Sequence, residues 1–300
     1  MLRIFILLLF TALCCPAGSS DLTLDELDTL FEGCAETPSE YAVRTAKNWF
    51  MRCAFYRLDG SAVRPAVERQ CRSDAEARKR IRMLSEDVRR GRNWKLPQPE
   101  LVVPFAGAVR IDGIISPEEY TRSVRLEGEI PINEQTVKAG GGHRWYFAWD
   151  NRFFYFAAEI SDPDIQLRKE RPYEADSVEL FLLPEPSLNS YWEIVVSPSG
   201  ERFCAWHTLG KYGLRSSFFV EPGSLKTAAR RSGSGYCVEI AFPFSALPSL
   251  SKQLPYNGAT VFLMTCRTDW QKNGGVAITA PVPLLYGGHN IYGYIKATLK

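Results

Sequence analysis

Hydrophobic patterning divides this chain into two stretches of different period. Before residue 93 the signals are those of helices. Thr23 and Glu26 form a capping box flanked by Leu22 and Leu27 as a hydrophobic staple, and Gly33 ends that short helix. Thr37-Pro38-Ser39-Glu40 is a second box with proline at the first helical position, opening a helix through Trp49 and Cys53 to Arg57. Asp59-Gly60 is a turn, and a short helical piece follows Pro65. Ser73-Asp74-Ala75-Glu76 opens a last helix that ends at Gly91. Its Arg78, Arg80, Arg82, Arg89 and Arg90 are interleaved with Asp74, Glu76, Glu86 and Asp87, the pattern of a solvated helix with charge pairs. Pro97, Pro99 and Pro104 make residues 93–104 an extended linker or the entry to a first strand, with the linker set at 94–102.

After the linker the period becomes two. Residues 144–149 and 153–160, joined at Asp150-Asn151, form a hairpin. Residues 191–196 and 202–207, joined by Ser197-Pro198-Ser199-Gly200, form another. Single strands are predicted over 236–242, 261–268, 276–279 and 292–299. Between the hairpins lies Arg171-Pro172-Tyr173-Glu174-Ala175-Asp176-Ser177-Val178-Glu179-Leu180-Phe181-Leu182-Leu183, a loop running into a strand. Val178, Leu180 and Leu182 share one face of it, and Ser177, Glu179 and Phe181 the other. Short strands without intervening helices imply an all-β antiparallel sandwich, immunoglobulin- or jelly-roll-like, over residues 103–300. A small α-helical, cysteine-containing region over residues 20–93 precedes it.

Composition narrows the classes of function. A net charge of +2 on 300 residues points to neither nucleic acid nor an acidic surface as partner. Residues 1–19 read as a secretory signal: Arg3, an apolar run over 4–13, and Ala17-Gly18-Ser19 at the cleavage position. The expected location is outside the cytoplasm, secreted or periplasmic. Leu13 before Cys14 is bulkier than lipoprotein processing requires, so no lipid anchor is expected, and no later segment is apolar enough to span a bilayer. Cys34, Cys53, Cys71, Cys204, Cys237 and Cys266 remain after cleavage, none in a C-x-x-C pair. They split three and three between the helical and β halves, so either a bridge joins the halves or each half keeps a free thiol. Cys34, Cys53 and Cys71 are expected to staple the thin helical core.

Tyr173 and Glu179 place a ring and a carboxylate on one rim. That pair suits a polyhydroxylated ligand, since the carboxylate accepts hydroxyl hydrogens and the ring packs on C–H faces. The same residues also describe a core strand with one solvated glutamate.

A run of landmarks in the β half resembles the family 9 carbohydrate-binding modules. They are Ile111-Asp112-Gly113 with Glu118 and Glu119, Ala148-Trp149-Asp150-Asn151-Arg152-Phe153-Phe154-Tyr155, Asp162-Pro163, and Asp176-Ser177-Val178-Glu179-Leu180-Phe181. Tyr236-Cys237-Val238-Glu239-Ile240-Ala241-Phe242-Pro243 and Tyr292-Gly293-Tyr294-Ile295 follow in the family's order. The resemblance covers residues 103–300. It implies a non-catalytic sandwich that binds a glycan end or short oligosaccharide, usually in polysaccharide breakdown. Residue by residue, it implies stacking rings at Tyr173 and Tyr286 and an acid at Glu179. Tyrosines stand where tryptophans are typical, and Glu193 and Val195 stand where the family has Arg and Asn. Arg267 and His289 are the expected replacement donors. No cofactor is required, but calcium is a family habit; Asp162 and Asp164 are the candidate ligands, with Asp150 and Asp176 nearby.

Three other readings use other residues. A glycoside-acting enzyme would need facing carboxylates, for which Glu179 and Glu193 are the candidates. A haem-binding sandwich would use Met264 and His143. A secreted scaffold would dock a protein partner through the helical region, with Trp49, Phe50, Phe55 and Tyr56 as the surface. His143, His207 and His289 show no metal-ligand spacing.

Overall fold

The computed structural model describes residues 75, 100–128, 130–131, 142–168, 171–184, 188, 190–209, 215–248, 254–282, 288–289, 291 and 294–300. The predicted helical region therefore lies outside the described residues, apart from Ala75, which is helical. So do Tyr286 and the expected staple at Cys34, Cys53 and Cys71. The chain divides into two compact units, Met1–Asp87 and Val88–Lys300.

The second unit is built from strands in two sheets. They are β1 (Leu101–Val103), β2 (Val124–Glu127), β3 (Ile130–Pro131), β4 (His143–Trp149), β5 (Phe153–Ser161), β6 (Ser177–Leu183), β7 (Ser190–Val196), β8 (Arg202–Leu209), β9 (Arg215–Phe218), β10 (Lys226–Ser232), β11 (Gly235–Pro243), β12 (Thr260–Trp270), β13 (Val276–Ala280) and β14 (Ile295–Leu299). The larger sheet runs β1-β14-β12-β6-β7-β8-β9, with β13 on β12 and β3 on β13; the smaller runs β10-β11-β5-β4-β2. Every pairing is antiparallel except β1 with β14. The expected sandwich is present.

The inner faces of the two sheets make the core. Trp145, Phe147, Phe154, Phe156, Tyr236, Ile240 and Phe242 come from the smaller sheet, and Val178, Leu180, Leu182, Trp192, Ile194 and Leu263 from the larger. β6 alternates as its sequence predicts, with Val178, Leu180 and Leu182 inward. The outer face of the smaller sheet is covered by Val109, Ile111, Ile115 and Tyr120. Glu239 clamps that cover: its carboxylate accepts from Asp112 N at 3.0 Å, Gly113 N at 2.7 Å and Tyr120 Oη at 2.8 Å. Gly113 sits at φ +82°, where a Cβ would lie 2.9 Å from Arg230 Cβ, so only glycine fits that turn.

Several expectations change. Leu101 and Val102 belong to β1, paired on β14, so the stretch before residue 103 ends in a first strand, as one of its two readings had it, and the sandwich begins at Leu101 and not at residue 103. β2, β3, β9 and β10 have no counterpart among the predicted strands. Cys204, Cys237 and Cys266 are free thiols. The haem reading fails on geometry. His143 points into the core, where its Nε2 lies 2.9 Å from Thr279 Oγ1, while Met264 lies on the outer face of the larger sheet.

Candidate functional site

The outer face of the larger sheet carries the unexpected chemistry. Register fixes its rows: Cys266, Glu179, Val195 and Phe203 lie side by side across β12, β6, β7 and β8. Met264, Phe181, Glu193 and Ala205 make the next row, and Tyr191 pairs with His207, which pairs with Ser217. Period two puts all of these on one face.

Tyr173 stands at one end. It lies in a short 3-10 turn, Pro172–Glu174, that packs on β7 and β8. Its ring is 47% exposed and meets Phe203 edge-on at 5.2 Å between centroids. Phe203 in turn meets Phe219, 76% exposed, at 5.6 Å. An open row of three rings therefore borders the face, and Val195 joins Phe203 to Glu179 across the strands.

Glu179 is half-buried in the middle of that face. Its Oε1 accepts from Thr268 Oγ1 at 2.7 Å. Burial first, then the neighbouring Glu193 carboxylate, push its pKa up to about 7, against the hydrogen bonds from Thr268 and Cys266. The carboxyl thus titrates near neutrality.

At the far end Glu193 Oε2 lies 2.5 Å from His207 Nε2, and Ser217 Oγ lies 2.9 Å from His207 Nδ1. His289, exposed, stands over this end with its Nδ1 2.9 Å from Tyr191 Oη. The loop carrying it presses onto the sheet at Gly288, where a Cβ would lie 2.6 Å from Phe181 Cζ and 2.7 Å from Met264 Cε. Bare glycine is what lets the loop come so close.

The structure thus brings Tyr173, Glu179 and His289 to one face. It does not bring Arg267 there. Arg267 pairs with Val178, on the inward face of β12, and is wholly buried. Its Nη2 bonds Asp162 Oδ2 at 2.8 Å and Asp269 Oδ1 at 3.0 Å. Arg267 is a structural cation, and its expectation as a ligand donor is corrected. Sequence reasoning missed Phe203, Tyr191, His207, Cys266 and Thr268 as lining residues. The alternation of β7 and β8 was the signal available, and it needed the register to be read.

The two candidate calcium ligands do not form one group. Asp162, Asp176 and Asp269 are buried together, their carboxylate oxygens within 4.8 Å of one another. Asp164 instead bonds Lys272 Nζ at 2.6 Å and Gln166 Nε2 at 3.0 Å. Asp176 accepts from Gln166 N at 2.7 Å and Trp270 N at 2.6 Å, and burial raises its pKa to about 7. These are oxygen donors of the kind calcium takes, but the Arg267 guanidinium already stands against two of the three. The set does not fit a calcium ion.

The fold is a two-sheet sandwich whose outer face joins exposed rings to a hydrogen-bonding carboxyl. The chain belongs to the carbohydrate family 9 binding domain-like family, whose model matches residues 132–296. Among curated proteins it is 28% identical over 103 residues to exoglucanase XynX of Acetivibrio thermocellus, covering 34% of this chain and 9% of that enzyme. It is 25% identical over 155 residues to endo-1,4-beta-xylanase A of Thermotoga maritima, covering 47% of this chain and 14% of that one. The chain therefore spans only a small part of the length of these relatives. A solved putative carbohydrate-binding protein from Bacteroides uniformis superimposes with a TM-score of 0.52 at 12% identity, over 67% of this chain and 98% of that one. A family 9 module from Caldicellulosiruptor kristjanssonii in complex with cellotriose gives 0.49 at 19% identity, over 67% and 94%.

Proposed function

We propose that this protein binds, without cleaving it, the end of a glycan or a short oligosaccharide on the outer face of the larger sheet. Tyr173 and Phe203 supply the stacking surface at one end, Glu179 accepts sugar hydroxyls at the centre, and His289 hydrogen-bonds from the other side. Tyr286, outside the described residues, is the proposed second ring. The observation that carries this reading is that Tyr173 and Glu179, on different elements, reach one face through Phe203 and Val195. The family description supports carbohydrate as the ligand class. The tyrosine at Tyr173 gives a smaller platform than a tryptophan, so affinity falls in the micromolar to millimolar range.

The signal-like pattern of residues 1–19 supports export, and the proposed setting is polysaccharide breakdown outside the cytoplasm. The helical region is proposed as the protein-docking part. Arg267 serves as the internal cation of two of the three buried aspartates, Asp162 and Asp269.

A glycan array probed with the full chain tests the proposal. Binding to a defined set of glycans with a common terminal sugar is the expected result. Release of reducing sugar from a bound glycan would replace the proposal with the enzyme reading, with Glu179 and Glu193 as its carboxyl pair. An array without any bound glycan would overturn both.

A further inference from the structure

The far end of the outer face holds a group of three side chains, of which the proposed sugar site uses only His289. Glu193 on β7, His207 on β8 and His289 from the loop before β14 offer one carboxylate oxygen and two imidazole nitrogens, all within 4.8 Å of one another. They come from three segments that no spacing in the sequence links. His207 is 2% exposed and Glu193 is 9% exposed, so two of the three donors are shielded from bulk water.

Each ring also has a hydrogen-bond partner outside the group. Ser217 Oγ at 2.9 Å fixes His207 through Nδ1 and leaves Nε2 aimed at Glu193. Tyr191 Oη at 2.9 Å from Nδ1 fixes His289. Tyr191 also packs against the His207 ring at 4.9 Å between centroids, and the two imidazoles lie 5.3 Å apart edge to face. An outer hydrogen bond that sets the tilt of each imidazole is what metal-bound histidines ordinarily have.

We propose that Glu193, His207 and His289 bind a divalent transition-metal ion of the zinc class. Imidazole nitrogen with one carboxylate oxygen suits zinc and its neighbours, whereas calcium and magnesium take all-oxygen sets. Donors around a tetrahedral zinc, each about 2.0–2.1 Å from the metal, stand roughly 3.3–3.4 Å apart. A pair at the 4.8 Å limit has to close by up to about 1.5 Å, and the Glu193–His207 pair, at 2.5 Å, has to open by about 0.9 Å. Three protein donors leave one position toward solvent, on the side where His289 is exposed. That position takes water or a ligand oxygen. Glu179 lies one row away, so an ion here would border the face on which a sugar is proposed to sit.

The test needs no sugar, so its outcome stands apart from that of the glycan array. The full chain is stripped of metal, its thiols are alkylated, and zinc is titrated by calorimetry with cobalt(II) as a spectroscopic probe. One equivalent of zinc is expected, with the visible bands of tetrahedral cobalt and no thiolate band in the near ultraviolet. His289→Ala removes an exposed ligand and is expected to weaken zinc at least about tenfold while the melting curve of the metal-free protein stays in place. His207→Gln is expected to weaken it further. Absence of zinc binding in the unmodified protein would overturn the site. So would His289→Ala binding as tightly as wild type, or octahedral cobalt spectra.

Discussion

Glu239 is the residue on which the cover of the smaller sheet hangs. Its carboxylate satisfies two backbone amides and one phenol, two of those bonds fully buried. Burial raises its pKa, opposed by those same donors. Glu239→Ala leaves the Asp112 and Gly113 amides without an acceptor and is expected to cost about 1–3 kcal/mol, read as a lower midpoint in urea. An unchanged midpoint would mean that the clamp carries no weight. Glu179 makes the complementary case, because its pKa bears on binding. With the folded value raised to about 7, its contribution to stability is full below the ordinary carboxylate range and is lost as pH rises through about 7. Sugar binding runs the other way, since hydroxyls donate to the ionised form. Affinity is expected to rise about tenfold between pH 6 and 8, and Glu179→Gln is expected to flatten that profile. Calorimetry across that range checks both, and a flat profile in wild type would remove Glu179 from the site.

At the scale of elements, close backbone contact decides which residues are tolerated. Gly235 opens β11 against β5, and a Cβ there would overlap the Ile160 carbonyl oxygen. Gly235→Ala must push those strands apart, so a clear drop in melting temperature is expected; none would place the strand start elsewhere. The strands legible in the sequence share one property, a sharply apolar inner face: β4–β5, β6, β7–β8, β11 and β12 all have it. β9 and β10 are edge strands, and β10 reads Lys-Thr-Ala-Ala-Arg-Arg-Ser, with little apolar alternation to mark it. The site was legible to the same degree. Tyr173 and Glu179 sit beside and on the strand with the clearest pattern. Arg267 was misplaced because parity along β12 assigns it a face only once the register with Val178 is known. Glu193, His207 and His289 meet only through cross-strand pairing and a loop, which spacing along the chain does not show.

At the scale of the whole molecule, the buried charges are already balanced in part from within. Arg267 bridges Asp162 and Asp269 between the sheets, so the account needs no calcium ion to hold that end closed. Metal-stripped protein is expected to melt at the same temperature with and without millimolar calcium. A rise by mass action would show that calcium binds the native state, at those aspartates or elsewhere. The central claim is that one face binds sugar through groups brought together by the fold. It is tested most directly by calorimetric titration of the full chain with the glycan found on the array, in wild type, Tyr173→Ala and Glu179→Gln. The account predicts that Tyr173→Ala loses about 0.5–1.5 kcal/mol of stacking beyond the lost contact area with its melting curve unmoved, and that Glu179→Gln loses about 1.5–3 kcal/mol of binding. Undiminished affinity in both variants would contradict it.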